Sequence, residues 1–178
     1  YDPLDNLRSW TLAGVKDLAT YVYDANNRLT GIQNTAGAAV HAFTYDPQGN
    51  ITSRNAIPHD FDYGNRLRAV PGIESYRYDG SGRRVQSTKA SGALTLWMYA
   101  QNGQQLFSSK VPTTGGQTTH ENVYLGGSLV ASIDHAWPSN AITAIKYQHT
   151  DALGSPVAMS DASGAVIERT NYDPWGGA

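Results

Sequence analysis

The chain has no cysteine among its 178 residues, which excludes disulfides, thiolate nucleophiles and thiolate zinc sites together. Charge is scarce: 16% of residues are Asp, Glu, Lys or Arg, and 13 basic against 15 acidic side chains leave a formal net charge of −2. A balance so near zero offers no polyanion-binding surface and argues against nucleic acid as a partner. No apolar run approaches the roughly 18 residues of a membrane span, and no basic, apolar, small-residue leader opens the chain. The histidines His41, His59, His120, His135 and His149 lack the three- or four-residue spacing of a metal-binding pair, so no metal or other cofactor is expected. Helical signals are sparse as well. Residues 11–20 offer Leu12, Val15 and Leu18, but neither a cap nor the length of a stable helix.

What the chain does have is turn chemistry, with 18 glycines and 8 prolines, and a recurring phrase. An aromatic opens it at Tyr1, Tyr23, Tyr45, Phe61, Tyr78, Tyr99, Tyr124, Tyr147 and Tyr172, at spacings of 22, 22, 16, 17, 21, 25, 23 and 25 residues. A period in that range marks a repeat array. Aspartate follows as Asp2, Asp24, Asp46, Asp62, Asp79 and Asp173; Ala100, Leu125 and Gln148 are the exceptions. Four residues after the aromatic stand Asp5, Asn27, Gly49, Asn65, Gly82, Gly103, Ser128, Asp151 and Gly176. All but Ser128 belong to the types that best tolerate a left-handed backbone.

The phrases Tyr45-Asp46-Pro47-Gln48-Gly49 and Tyr172-Asp173-Pro174-Trp175-Gly176 place Asp, Pro and Gly where a type I turn prefers them. A type I turn followed by a left-handed residue is a common three-residue hairpin connection, so each phrase is expected to close a hairpin. Two residues before the aromatic lie Tyr21, Phe43, Tyr76, Trp97 and Ile145, with a mixed residue between, which is the period of a strand with one apolar face. Leu7, Leu29, Ile51 and Leu67, six residues after the aromatic, return apolar groups on the following strand. The expected fold is all-β, built of antiparallel hairpin repeats.

One segment departs from the plain phrase. His149, Thr150, Asp151, Ala152, Leu153, Gly154, Ser155 and Pro156 lead into a hairpin around Asp161-Ala162-Ser163-Gly164. His149 and Asp151, two apart on a strand, could form a base and its orienter. No nucleophile is singled out nearby, and a polar cap on a hairpin is the simpler expectation.

The tyrosine-aspartate phrases resemble the YD, or Rhs, repeats of bacterial Rhs proteins, insecticidal toxin complex C components and teneurin ectodomains. The stretch from His149 to Gly176, with its His-Thr-Asp-x-Leu-Gly-Ser-Pro opening and Tyr-Asp-Pro-Trp-Gly close, resembles the start of the Rhs-associated core. Its marker residues are His149, Asp151, Leu153, Gly154 and Ser155. The resemblance implies repeats over 1–146 and the start of the core over 147–178, continuous as one structural unit. It implies a curved sheet, part of a spiralling shell that encloses a C-terminal toxin or other cargo polypeptide of a secreted or cell-surface bacterial protein.

The family's self-cleaving aspartates would lie beyond residue 178, so the resemblance supplies no catalytic residue and the chain is not expected to be an enzyme. Because it begins and ends on a repeat phrase, it reads as excised from something longer. The expected partners are the other repeats of the parent shell, an enclosed cargo and, through free sheet edges, further copies of the chain. The alternative is a binding module whose exposed repeat face contacts a glycan or protein on another cell.

Overall fold

The computed structural model describes residues 1–172; Asp173 and Gly176 of the last phrase lie outside them. Every regular element in the described residues is a β-strand, all paired antiparallel, and the chain divides into two compact units, residues 1–75 and 76–178.

In the first unit, β1 (Trp10–Leu12) and β2 (Lys16–Leu18) form a small hairpin over the stretch whose apolar residues hinted weakly at a helix. A five-stranded sheet follows in chain order: β3 (Thr20–Tyr23), β4 (Leu29–Gln33), β5 (Ala39–Tyr45), β6 (Ile51–Arg54) and β7 (Ile57–Pro58). β8 (Asp60–Phe61) pairs with β9 (Leu67–Val70), which also pairs with the first residues of β10 (Glu74–Tyr78). The second unit continues, again in chain order, through β11 (Arg84–Lys89), β12 (Leu94–Tyr99), β13 (Gln105–Val111) and β14 (Thr118–Leu125). It ends with β15 (Ser128–Ala136), β16 (Ala141–Thr150), β17 (Pro156–Asp161) and β18 (Val166–Arg169). Residues 146 and 147 are neighbours inside β16, so the expected start of the core segment falls within a strand.

Six of the phrases form turns of one kind. The Asp24 amide donates to the Arg28 carbonyl at 2.9 Å and the Asn27 amide to the Asp24 carbonyl at 3.0 Å, while Asn27 holds φ at 62°. This is a type I turn closed by a left-handed residue. The same pair of bonds recurs from Asp2, Asp46, Asp62, Asp79 and Ala100, with Asp5, Gly49, Asn65, Gly82 and Gly103 in the left-handed position.

Almost nothing is buried in the ordinary sense. Tyr21, Ile32 and Ala131 are the buried apolar residues, and no large side chain among the described residues is fully covered. The buried positions are otherwise small and polar, Ser87, Ser108, Ser109, Thr119, Ser132 and Ser160, together with His135. Burial of this kind comes from neighbouring strands of the same sheet. Each strand packs chiefly against its sequence neighbours.

Two phrases differ from what the aromatic spacing implies. Tyr147 opens no turn: it sits inside β16, paired with Ala131 on one side and Ser160 on the other. The turn comes three residues later, where the Gly154 amide donates to the Asp151 carbonyl and Gly154, at φ 89°, takes the left-handed position expected at Asp151. Tyr124 does precede a turn, but a two-residue one made by Gly126 and Gly127 at φ 56° and 89°, with Ser128 already in β15 opposite Leu125. The cause in both places is local: the chain turns where a residue accepts positive φ, whatever the position of the tyrosine. The shift also puts Ile145, in register with Ile133, Glu121, Phe107 and Met98, on the face opposite Trp97.

Candidate functional site

The side chains of the turn phrases converge along the turn edge of each unit. In each turn the aspartate carboxylate closes the loop it starts. Asp24 Oδ1 accepts the amides of Asn26 and Arg28, both at 2.9 Å, and its Oδ2 accepts Arg28 Nε at 2.8 Å. Asp62 and Asp79 repeat this with Gly64 and Arg66, and with Ser81 and Arg83. Asp2 and Asp46 use Asn6 and Asn50 instead. These bonds favour the ionised form, and they hold the carboxyls of Asp24, Asp62 and Asp79 below their usual range, with the backbone amides of Arg28, Arg66 and Arg83 the leading causes. Asp46 is lowered chiefly by the Asn50 side chain.

In the Tyr99 phrase, which lacks the aspartate, an asparagine substitutes. Ala100 cannot cap, and Asn102 Oδ1 accepts the Gln104 amide at 3.1 Å in its place.

The residue five after the aromatic proves to be a working position that the sequence reading passed over. It is Asn6, Arg28, Asn50, Arg66, Arg83 and Gln104 in successive phrases, always a long side chain with N–H donors. Asn6, Arg28, Asn50, Arg83 and Gln104 each reach the next turn. Asn6 Nδ2 donates to Asn27 Oδ1 at 2.6 Å, Arg28 Nη1 to the Asp46 carbonyl at 3.3 Å and Asn50 Nδ2 to Asn65 Oδ1 at 2.9 Å. In the second unit Arg83 Nη1 donates to the Ala100 carbonyl at 2.6 Å and Gln104 Nε2 to the Gly127 carbonyl at 3.2 Å. The signal was in the sequence, but the polarity varies and the partner lies 15 to 23 residues away.

The phrase tyrosines run the opposite way. Tyr23, Tyr45, Tyr99 and Tyr124 donate their hydroxyls to the carbonyls of Leu7, Leu29, Arg84 and Gln105; the last three each open the strand after the preceding turn. Tyr172 donates to the Pro156 carbonyl at 2.8 Å. Tyr1 is exposed at the start of the chain, and Phe61 has no hydroxyl to donate. The guanidinium groups of Arg28 and Arg83 also lie over the rings of Tyr45 and Tyr99, 5.1 and 5.3 Å from the centroids.

The His149 segment is part of the same construction. Asp151 Oδ1 accepts the amides of Leu153 and Ser155 at 2.8 and 2.9 Å, which lowers its carboxyl, the Ser155 amide being the largest cause. His149 instead faces Ser160, Nε2 to Oγ at 2.8 Å, tying β16 to β17. Histidine and aspartate therefore do not form the base and orienter considered from their spacing. Leu153 is exposed at the turn tip.

A second polar cluster crosses the middle of the second unit. Asp134 Oδ1 meets His120 Nδ1 at 2.6 Å and its Oδ2 meets Lys146 Nζ at 3.3 Å; His120 Nε2 meets Asn122 Oδ1 at 3.1 Å. Burial pushes the Asp134 carboxyl up, but the bonds from His120 and Lys146 outweigh it and leave it lowered. Ser108 stands across from His120, in the order of a nucleophile, base and orienter. The ring nitrogen that a base would use is held by Asn122, so the geometry braces strands and activates no hydroxyl.

Comparison with known proteins follows the same lines. The family model described as Teneurin YD-shell matches residues 1–104. Among curated proteins, the tRNA3(Ser)-specific nuclease WapA of Bacillus spizizenii is 26% identical over 99% of this chain and 7% of its own length. Double-stranded DNA deaminase toxin A of Burkholderia cenocepacia is 26% identical over 99% of this chain and 11% of its own, and mouse teneurin-1 is 25% identical over 88% and 6%. In fold, the chain is similar to a chain of the TcdB2-TccC3-Cdc42 crystal structure, at TM-score 0.51 and 16% identity over 88% of this chain and 10% of that one. The Photorhabdus luminescens Tc holotoxin pore gives TM-score 0.51 and 17% identity over 89% and 10%. The chain thus spans about a tenth or less of the proteins it matches. With the all-β hairpin array and its turn chemistry, the match over more than half the chain makes the conclusion direct: this chain belongs to the teneurin YD-shell family and is a YD/Rhs-repeat protein.

Proposed function

We propose that the chain is a wall segment of an Rhs-type shell that encloses a C-terminal toxin or other cargo polypeptide of an exported bacterial protein. The observation that carries this reading is a sheet with three buried apolar residues and no large fully covered side chain among those described. An independent domain of this size ordinarily buries a core. A wall instead spends its residues on strand ladders and on stitches between successive turns. The similarity to proteins named as a nuclease, a deaminase toxin and a Tc holotoxin supports the assignment to a toxin shell. In this reading the phrase aromatics and turn residues serve architecture, His149, Asp151, Leu153, Gly154 and Ser155 begin the core segment, and other repeats and the enclosed cargo are the partners.

Limited proteolysis of the full-length parent protein tests it. The polypeptide that follows the repeats should survive protease while the shell is intact, and should be digested once mild denaturant opens the sheet. Equal digestion in both states would overturn enclosure.

A further inference from the structure

The second unit holds a cavity of about 170 Å³ lined by Ser108, Lys110, Thr118, Thr119, His120 and Asp134. Register places these groups together: Ser108 pairs with His120 and Lys110 with Thr118, and Asp134 stands across from His120 on β15. Alternate residues of a strand share a face, so the side chains of Ser108, Lys110, Thr118, His120 and Asp134 belong to the Trp97 side of the sheet, and Thr119 between them belongs to the other.

The electrostatic balance of the cavity follows from its hydrogen bonds. Asn122 Nδ2 donates to the Gln105 carbonyl at 2.8 Å, which fixes the amide and leaves its Oδ1 facing His120 Nε2. The other ring nitrogen faces the Asp134 carboxylate. Both ring nitrogens are therefore engaged within the sheet, and neither is left for a ligand. The single carboxylate is taken up on both oxygens, by His120 and by Lys146. Lys146 therefore balances the one anion, and Lys110 adds an unpaired positive charge.

The remaining donors are free. Neither the Lys110 ammonium nor the hydroxyls of Ser108 and Thr118 has a hydrogen-bond or ion-pair partner among the described residues. Three unpaired donors on two adjacent strands, around a cavity of net positive charge, match the chemistry of a small oxyanion.

We propose that this cavity is an oxyanion-binding site in which Lys110 supplies the charge and Ser108 and Thr118 donate hydrogen bonds, with His120 fixed beside them by Asp134 and Asn122. It stands apart from the shell assignment, because it needs only the second unit's own strands.

Inorganic phosphate is the probe. The full chain is titrated with it by NMR at ionic strength held constant with sodium chloride, and saturable shifts are expected at the amides of Ser108, Lys110 and Thr118. Lys110→Gln should weaken binding at least about fivefold, the loss of roughly one charge-assisted contact, and Lys110→Arg should retain it. Lys110 is exposed, so neither variant should alter the thermal midpoint. Shifts that fail to saturate, or equal affinity in Lys110→Gln and the unaltered chain, would overturn the site.

Discussion

Arg28 and Tyr45 stitch two consecutive turns in opposite directions: Arg28 donates forward to the Asp46 carbonyl at 3.3 Å, and Tyr45 donates back to the Leu29 carbonyl at 2.6 Å. Arg83 and Tyr99 make the same reciprocal pair, to Ala100 at 2.6 Å and Arg84 at 3.0 Å. The aspartate carboxylate holds the arginine in place from behind, through Nε, so that its far end is free to reach the next turn. A repeat is thus defined as much by these two bonds as by the turn.

Removing one hydroxyl tests the backward stitch. Tyr45→Phe should lower stability by about 1 kcal/mol, the usual net worth of such a bond. Tyr147→Phe should leave the urea midpoint unchanged, because the Tyr147 hydroxyl makes no hydrogen bond among the described residues. Equal losses in the two variants would remove the distinction between phrase tyrosines and strand tyrosines.

The forward stitch predicts a difference between two cations. Arg83→Lys keeps the charge but cannot bridge Asp79 and the Ala100 carbonyl with one planar group. A loss of about 1 kcal/mol is expected in thermal unfolding. A lysine variant as stable as the unaltered chain would show that charge alone suffices.

Gly49 reports on the turn. At φ 90°, with nothing within 4 Å of the position a Cβ would take, any penalty for a side chain is conformational and not steric crowding. Gly49→Val should cost roughly 1–2 kcal/mol, and Gly49→Asn less, since Asn27 and Asn65 hold the equivalent position in their own turns. A neutral valine variant would contradict the left-handed assignment.

Acid should loosen the edge. The carboxyls of Asp2, Asp24, Asp46, Asp62, Asp79 and Asp151 are lowered in the folded chain. Their contribution is therefore complete above the unfolded carboxylate range, near pH 4, and is lost as pH falls through the lower folded values. The thermal midpoint should decline on acidification below about pH 4, and the decline should be shallower when Asp24 and Asp79 are both replaced by Asn. A midpoint indifferent to acid would argue that the caps contribute nothing.

How much of this was readable beforehand depends on whether the cause is local. The turns at Asp24, Asp46, Asp62 and Asp79 are local events, written in a cap residue and a residue tolerant of positive φ within four positions. At Tyr147 the aromatic spacing and the turn chemistry disagree, and the turn forms at Asp151 and Gly154, each three residues beyond the position the spacing implies. Asn102 in place of an aspartate at Ala100 has the same local logic in a different residue. The stitches could not be derived that way, because a donor at Arg28 has no visible partner until the strands bring Asp46 beside it. The row from Lys146 through Asp134 to His120 and Asn122 likewise depends on the register of three strands, which no local signal in the sequence specifies.

The scarcity of buried apolar side chains has a consequence for how such a chain can change size. A protein built around a core cannot gain or lose forty residues without repacking its centre. Here each strand answers mainly to the strands before and after it, and each turn to its neighbouring turns. Length is then nearly a free parameter. Duplicating one phrase with its two strands adds a self-consistent unit to the array, and in a shell of the kind proposed above the enclosed volume would be adjustable by counting repeats.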